Sequence, residues 1–315
     1  MISIIIVNYN NSKFLDNLFF HLTEIINDKS YEIIFIDDCS NDNSINIVDN
    51  NTKNSSNFFL FKNSINMGLV SSWKIGLIKS KGEFITFLDS DDYIDSRLFK
   101  TSMNQIFKDS EISTDVFIFN HFQDSVKQEY INHDEDLNKA DIKDKDLYSK
   151  KTTFGNKISF TRWAKLYKKS FILKYIDFID NKLTIGEDVV TNFLLFSMAN
   201  KIHLSKDTFY NYNTLNLNSL MRKKYHDYID KIKLVIDNLS IIKNYLLKVN
   251  DFSLQLNTYV DLLILNYLYY FTFKIFKPLI IFKNLKELKQ FSRRLINNPI
   301  GFRSRLIKFI YNAIN

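Results

Sequence analysis

Apolar runs and helical periods alternate along the first 120 residues of the chain. Ile2–Val7 is an apolar run of strand length. Ser12–Ile26 follows with Phe14, Leu15, Leu18, Leu22, Ile25 and Ile26 at helical spacing. The same alternation continues through a strand at Ile33–Ile36, a short helix at Asn43–Val48 and a strand at Phe58–Phe61. A helix at Gly68–Ser80, a strand at Phe84–Leu88, a helix at Ser96–Phe107 and a strand at Val116–Phe119 complete it. Short β-branched and aromatic runs bounded by glycine or charge predict buried strands. Their alternation with helices predicts an α/β domain with a mostly parallel sheet and right-handed crossovers.

In such sheets ligands sit beyond the carboxyl ends of the strands. Three predicted strand ends are polar: Asn8-Tyr9-Asn10, Asp37-Asp38-Cys39-Ser40 and Asp89-Ser90-Asp91-Asp92. The last places three like charges within four residues, which repel one another unless something neutralises them. A hard divalent cation, Mg²⁺ or Mn²⁺, shared with a phosphate is one answer. The alternative is an acidic loop capping the next helix, with Asp92 and Asp95 near its N-terminus. Three polar strand ends at one edge favour the metal and phosphate reading. No Gly-x-Gly-x-x-Gly follows the first strand and no Gly-x-x-x-x-Gly-Lys-[Ser/Thr] occurs, so neither a dinucleotide fold nor a P-loop is supported.

The second half is less regular. Residues 121–157 lack a sustained apolar period and predict an irregular connection or flap. Thr161-Arg162-Trp163-Ala164-Lys165-Leu166-Tyr167 is an aromatic and basic cluster. Glu187-Asp188 opens an apolar helix running to about Met198, where acidic side chains complement the helix dipole whether or not they have a chemical role. Residues 201–213 read as short strands, and long helical segments follow Ser219, among them Tyr225–Leu247.

Composition refines this picture. At 315 residues, 45% hydrophobic and 24% charged, the chain has room for one large or two ordinary domains. Its single cysteine, Cys39, cannot form an internal disulfide, which suits a reducing cytosol. Ile2–Val7 is too short and too bare of flanking basic residues for a secretory signal. The net charge of +7 is uneven: residues 223–315 carry 16 Lys and Arg against 6 Asp and Glu, whereas residues 1–222 carry 26 against 29. That asymmetry suggests an anionic partner for the C-terminal third, a membrane surface or nucleic acid. Within it, Leu254–Ile281 is long enough to span a bilayer, but Asp261, Asn266, Lys274 and Pro278 interrupt it. A buried helical pair or a surface-lying helix is expected instead. The basic segments beyond suit either an amphipathic anchor on anionic lipid or the ordinary solvated basic faces of a helical subdomain or dimer interface.

Together these motifs resemble glycosyltransferase family 2, the inverting enzymes with the GT-A nucleotide-sugar-binding fold. The resemblance covers roughly residues 1–220. Its elements come in the family's order: Tyr9-Asn10, the Asp37–Ser44 stretch, Asn66-x-Gly68 with Gly76, Gly82-Glu83-Phe84 leading to Asp89-Ser90-Asp91-Asp92, Trp163-x-Lys165-Leu166-Tyr167, and Glu187-Asp188. It implies a GT-A domain over 1–220 followed by a helical, basic region over 221–315.

The resemblance also implies roles. Tyr9 lies against the nucleobase and Asp38 or Asp37 bonds its edge. Asp89 contacts ribose or metal, and Asp91 holds the Mn²⁺ or Mg²⁺ that bridges the diphosphate. Asp188, paired with Glu187, is the general base, while Trp163 and Lys165 line the sugar or acceptor pocket. Two departures stand out. Ser72-Trp73-Lys74 replaces the family's Ala-Arg-Asn, leaving Lys74 as a point charge toward the donor. Asn213 follows Tyr210-Asn211-Tyr212 where Arg is usual, so Arg222 or Lys223 is expected to face the diphosphate, with His226 as a further metal ligand. The expected partners are a nucleotide-sugar donor, UDP-linked, and a glycan or lipid-linked acceptor, with an anionic membrane surface or a second copy for the basic region and no nucleic acid. The expected location is cytoplasmic, peripheral on the inner face of the membrane. A sugar nucleotidyltransferase is disfavoured because no Gly-rich, Arg-bearing loop follows the first strand. A silent scaffold on the same fold is disfavoured by the intact Asp91 and Asp188.

Overall fold

A computed structural model describes residues 1–53, 55–108, 112–143, 159–216 and 228–249. These belong to a compact unit, Met1–Leu256; Asn257–Asn315 forms a second unit outside the described residues. Strands β1 (Ile2–Asn8), β2 (Tyr31–Asp37), β3 (Phe58–Lys62), β4 (Phe84–Asp89), β5 (Tyr93–Ile94), β6 (Val116–Gln123), β7 (Val126–Gln128), β8 (Glu135–Asn138), β9 (Lys165–Lys168) and β10 (Lys201–Tyr212) make one sheet. Its order is β3-β2-β1-β4-β9-β6-β10-β5, with β7 on β6 and β8 on β10. The β3-β2-β1-β4 half is parallel throughout. β10 is parallel to β6, and β9 runs antiparallel to both of its neighbours, β4 and β6.

Helices α1 (Ser12–Ile26), α2 (Ser44–Thr52) and α4 (Ser96–Ile106) cover one face, where Ile4, Ile6, Ile33 and Phe35 join Leu15, Leu18, Leu22 and Phe99 in the core. Asn11 places no side-chain cap on α1; Asp42 reaches across from the β2 side and accepts from the Ser12 N–H at 2.9 Å. A cap is worth about 1 kcal/mol. The six buried apolar side chains of α1 are worth about 1.5–3 kcal/mol each, so packing dominates. Helix α3 (Leu69–Lys79) lies on the other face, so close that a Cβ on Gly76 would stand 2.5 Å from Ile5 Cγ2. Gly82 is tighter still. A Cβ there would run into Ser3 Oγ as well as standing 2.6 Å from the Ser3 backbone nitrogen, which accounts for glycine before β4.

Two expectations need correction. Residues 121–143 are not an irregular flap: β6 runs on to Gln123, turns through Asp124 and Ser125 at positive φ into β7, and is followed by β8 and the short helix α5 (Lys139–Lys143). β7 and β8 are short, mostly exposed additions at opposite ends of the β6–β10 pair, so they carry no apolar period to read. Residues 201–212 form one long strand with register shifts after Ser205 and Thr208, which break its pattern into apparent short pieces. After β9 come α6 (Lys169–Ile172), a 3₁₀ turn (Ile176–Phe178) and α7 (Glu187–Met198). Helix α8 (Tyr228–Val249) packs beside this stretch, with the Asn238 side chain accepting from the Asp180 N–H at 3.0 Å and Tyr245 against Phe178. No helix among the described residues is long and apolar enough to cross a membrane. The predicted segments beyond 249 lie outside the described residues.

Candidate active site

The polar ends of β1, β2 and β4 meet at one sheet edge, as the parallel register demands. Asn8 pairs with Asp37, and Val7 with Asp89. The β2 carboxylates are occupied there. Asp37 accepts from the Asn8 amide at 3.0 Å and from the Ser40 N–H at 2.9 Å. Asp38 accepts from the Asn63 amide and the Met67 N–H at 2.8 Å and from the Gly68 N–H at 2.9 Å. Gly68 holds φ +85 there, a conformation suited to glycine. Both carboxylates are buried and together shape the loops at residues 38–40 and 63–68. Tyr9 beside them is 42% exposed.

At the end of β4 the three aspartates part company. Asp95, not Asp92, caps α4 by accepting from the Arg97 and Leu98 N–H groups. Asp92 is buried and accepts from the Tyr210 hydroxyl at 2.5 Å and the Asn213 N–H at 2.8 Å. Burial and then repulsion from Asp89 and Asp91 push its carboxyl well above the usual range. Asp91 Oδ2 accepts from the Asn216 amide at 2.6 Å, and its main-chain oxygen accepts from the Asn213 amide at 3.0 Å. The C-terminal end of β10 therefore folds back onto the carboxylate loop.

Asp89 faces the other way, toward Arg162. Because β9 runs antiparallel to β4, the loop before β9, not the one after it, arrives at the edge where Asp89 sits. Ala164, at φ 52, turns that loop into the strand. Asn192 on α7 fastens it, donating to the Phe160 and Thr161 carbonyls at 2.7 and 2.9 Å and accepting from the Tyr167 hydroxyl at 2.7 Å. The guanidinium of Arg162 thus lies 3.6 Å from Asp89, 3.4 Å from Asp188 and 3.8 Å from Glu187. Its other side stacks on Phe87 and Trp73, with ring centroids 5.2 and 5.8 Å from Cζ. Glu187 and Asp188 begin α7 after Gly186, which takes φ 67.

Charge here is crowded and poorly hydrated. Protein surrounds Asp89 and Asp188, yet 38% and 29% of their side-chain surfaces stay open. Burial raises Asp89 to about 7 against the pull of Arg162, with repulsion from Asp91 and Asp188 adding to it. Burial and the neighbouring Asp188 raise Glu187 to about 8. Asp188 is also raised by burial, with Arg162 and Lys165 opposing. Burial lowers Lys165 to about 7 while Asp188 pulls it back up. Arg162 Nε and Nη1 and Asp188 Oδ1 are buried with no hydrogen-bond partner. Buried polar atoms nearly always have a partner, so those around Arg162 call for an explanation.

Of the residues named from the sequence, Asp89, Glu187, Asp188 and Lys165 gather around Arg162. Trp163 lies flat between Tyr210 and Tyr212, with centroids 4.8 and 5.2 Å away, and is almost fully buried. Lys74 donates to the Ile179 carbonyl at 2.6 Å, where burial lowers its ammonium while Asp177 and Asp180 raise it. Arg222, Lys223 and His226 lie outside the described residues. Sequence reasoning missed Arg162, Asn192 and Asn216; the Thr161–Tyr167 cluster contained the first, but only the antiparallel strand reveals which way it faces.

Among the described residues no group of three His, Cys, Asp or Glu side chains is arranged to hold a metal ion. The carboxylates present still fit one. Among the described residues Asp91 meets a neutral amide and no cation, and Asp89 shares one buried guanidinium with two other carboxylates. An all-oxygen donor set short of counter-charge suits Mg²⁺ or Mn²⁺ when phosphate oxygens complete the coordination.

A family model described as Glycosyl transferase family 2 matches residues 3–174, more than half of the chain. The cholesterol galactosyltransferase of Borreliella burgdorferi is 29% identical over 218 residues, covering 66% of this chain and 59% of that protein. The poly(ribitol-phosphate) beta-N-acetylglucosaminyltransferase TarS of Staphylococcus aureus is 24% identical over 239 residues, 74% of this chain and 39% of that protein. The chain thus matches little more than half of the first relative's length and under half of the second's. The crystal structure of TarS 1–349 in complex with UDP-GlcNAc matches with a TM-score of 0.66 at 20% identity, over 94% of this chain and 80% of that one. A mannosyltransferase of Pyrobaculum calidifontis, in complex with GDP-Man and Mn²⁺, matches with a TM-score of 0.50 at 11% identity, over 85% of this chain and 69% of that one. At these identities the structural likeness shows the fold, an α/β sheet of GT-A type.

Proposed function

The chain belongs to glycosyl transferase family 2, and from that premise we propose that it is an inverting glycosyltransferase. Its donor is a nucleotide-activated sugar, UDP-linked, and its acceptor a hydroxyl of a surface glycan or lipid-linked saccharide. The observation that carries this reading is Asp188: its Oδ1 is enclosed beside Arg162 without a hydrogen-bond partner, so the open part of the group lies on its other side. A carboxylate raised by burial and exposed on one side is suited to accept a proton. The acceptor oxygen attacks the anomeric carbon from the face opposite the nucleoside diphosphate. The bond from that carbon to the diphosphate oxygen breaks, and the acceptor proton passes to Asp188. Arg162 holds Asp188 and Glu187 on the acceptor side and Asp89 on the donor side. Asp91 and Asp89 would hold the divalent cation, which when bound supplies positive charge to the departing diphosphate. The Lys- and Arg-rich stretch 223–315 supports a peripheral role beside an anionic membrane or another copy of the chain.

Incubation of the full chain with UDP-sugars, Mn²⁺ and a glycan acceptor is expected to release UDP and form product. Asp188→Asn is expected to slow transfer by about 10²–10⁴-fold while donor binding, read by thermal shift, persists. A parent that binds no nucleotide sugar, or an Asp188→Asn variant with full transfer, overturns the reading.

A further inference from the structure

We propose that Asn216 is a positioning residue for Asp91, an inference that rests on the cation-binding reading above. Asn216 is buried, 3% exposed, and its amide donates to Asp91 Oδ2 at 2.6 Å. The segment carrying it is built to present that amide. The Asn213 side chain accepts from the Leu215 N–H at 2.9 Å and donates to the Asp91 carbonyl at 3.0 Å. The Asn213 N–H is in turn held by Asp92 at 2.8 Å. Thr214 is tied down separately by Asp124. Four consecutive residues at the end of β10 are thereby fixed against the β4 loop, and their one buried amide donor meets the carboxylate expected to hold the cation.

The choice of an amide matters. A carboxylate has about four lone-pair directions over its two oxygens, and a single amide donor fixes the rotamer while leaving the remaining directions open. A lysine or arginine at the same place would also fix the rotamer, but would cancel the charge a divalent cation needs. Asn216 orients Asp91 without neutralising it. Outer residues that hold ligands in this way typically govern metal affinity.

The test is Mn²⁺ uptake by the full chain in the presence of UDP, followed by the loss of the free-ion EPR signal. Thermal melting and metal-free UDP binding are measured alongside. Asn216→Ala is expected to need about 10-fold more Mn²⁺ for half-saturation, with metal-free UDP binding unchanged. Asn216→Thr, of similar volume with a hydroxyl too short to reach Asp91, is expected to behave alike and guards against a cavity that simply unfolds the chain. Asn216→Gln, which restores an amide donor, is expected to recover part of the loss. If the parent binds Mn²⁺ and either folded donor-less variant binds it equally well, the inference about Asn216 is overturned alone. A parent that takes up no Mn²⁺ with UDP overturns the cation reading, and this inference with it.

Discussion

Two sets of carboxylates near one edge of the sheet are held differently. In the parallel half, Asp37 and Asp38 are surrounded by N–H donors at 2.8–3.0 Å and hold neighbouring loops in shape. Where the end of β4 meets the start of α7, Asp89, Glu187 and Asp188 face one guanidinium at 3.4–3.8 Å, and among the described residues both Arg162 and Asp188 keep buried atoms without hydrogen-bond partners. In the first arrangement the carboxylates are filled by protein donors. The second keeps capacity in reserve, as a site must if it is to meet a substrate. Carboxylates at the same edge of one sheet therefore call for different explanations, and their donors decide which applies.

That contrast predicts a ranking. Arg162→Leu leaves three buried or half-buried carboxylates without their cation and is expected to lower unfolding stability by about 3–5 kcal/mol, read from the urea midpoint at pH 7. Asp188→Asn, which removes one of the repelling charges, is expected to leave that midpoint unchanged or higher. A stable, active Arg162→Leu would erase the distinction between the two sets of carboxylates. Next comes Asp38→Ala, which strips acceptors from Asn63, Met67 and Gly68 and is expected to cost about 2–4 kcal/mol. Should it instead keep its stability and lose only nucleotide binding, Asp38 belongs with the reactive group and not the structural one.

The smallest effect lies far from the site, at the Asp28–Lys100 pair joining the end of α1 to α4 at 2.9 Å. The hydrogen bond from Lys100, then that from Ser30, holds Asp28 below the ordinary carboxylate value. A group depressed on folding contributes its stability above the unfolded pKa and loses it as pH falls through the folded one. Asp28→Asn is thus expected to destabilise by about 0.5 kcal/mol at pH 7, and the gap should close below about pH 3.9. A gap that widens in acid would reverse the assigned sign.

Much of the parallel half is legible from the chain alone. Its strands are apolar runs, and its helices carry clear periods. Gly76 and Gly82 mark close backbone approaches that no larger residue fits. The carboxylates at the strand ends are visible too, but their occupancy is not. Whether Asp38 faces solvent or three donors depends on where the loop at 63–68 folds. The far half is harder to read for a specific reason. β9 is only four residues long, too short for any period, and nothing in Lys-Leu-Tyr-Lys announces that it runs against its neighbours. That reversal is what puts Arg162 at the centre.

The same reversed strand has a consequence for synthesis. β9 pairs with Phe84 and Ile85 on the open side of β4, yet it is made long after it. Until residue 168 has left the ribosome, Phe84–Leu88 presents an aromatic, hydrogen-bond-hungry edge to its surroundings. Long-range pairings form slowly because loop closure must precede them. The nascent chain therefore passes through a window in which its first half is complete but unsealed. Fragments ending before β9 should go into aggregates, and those that include it should remain soluble.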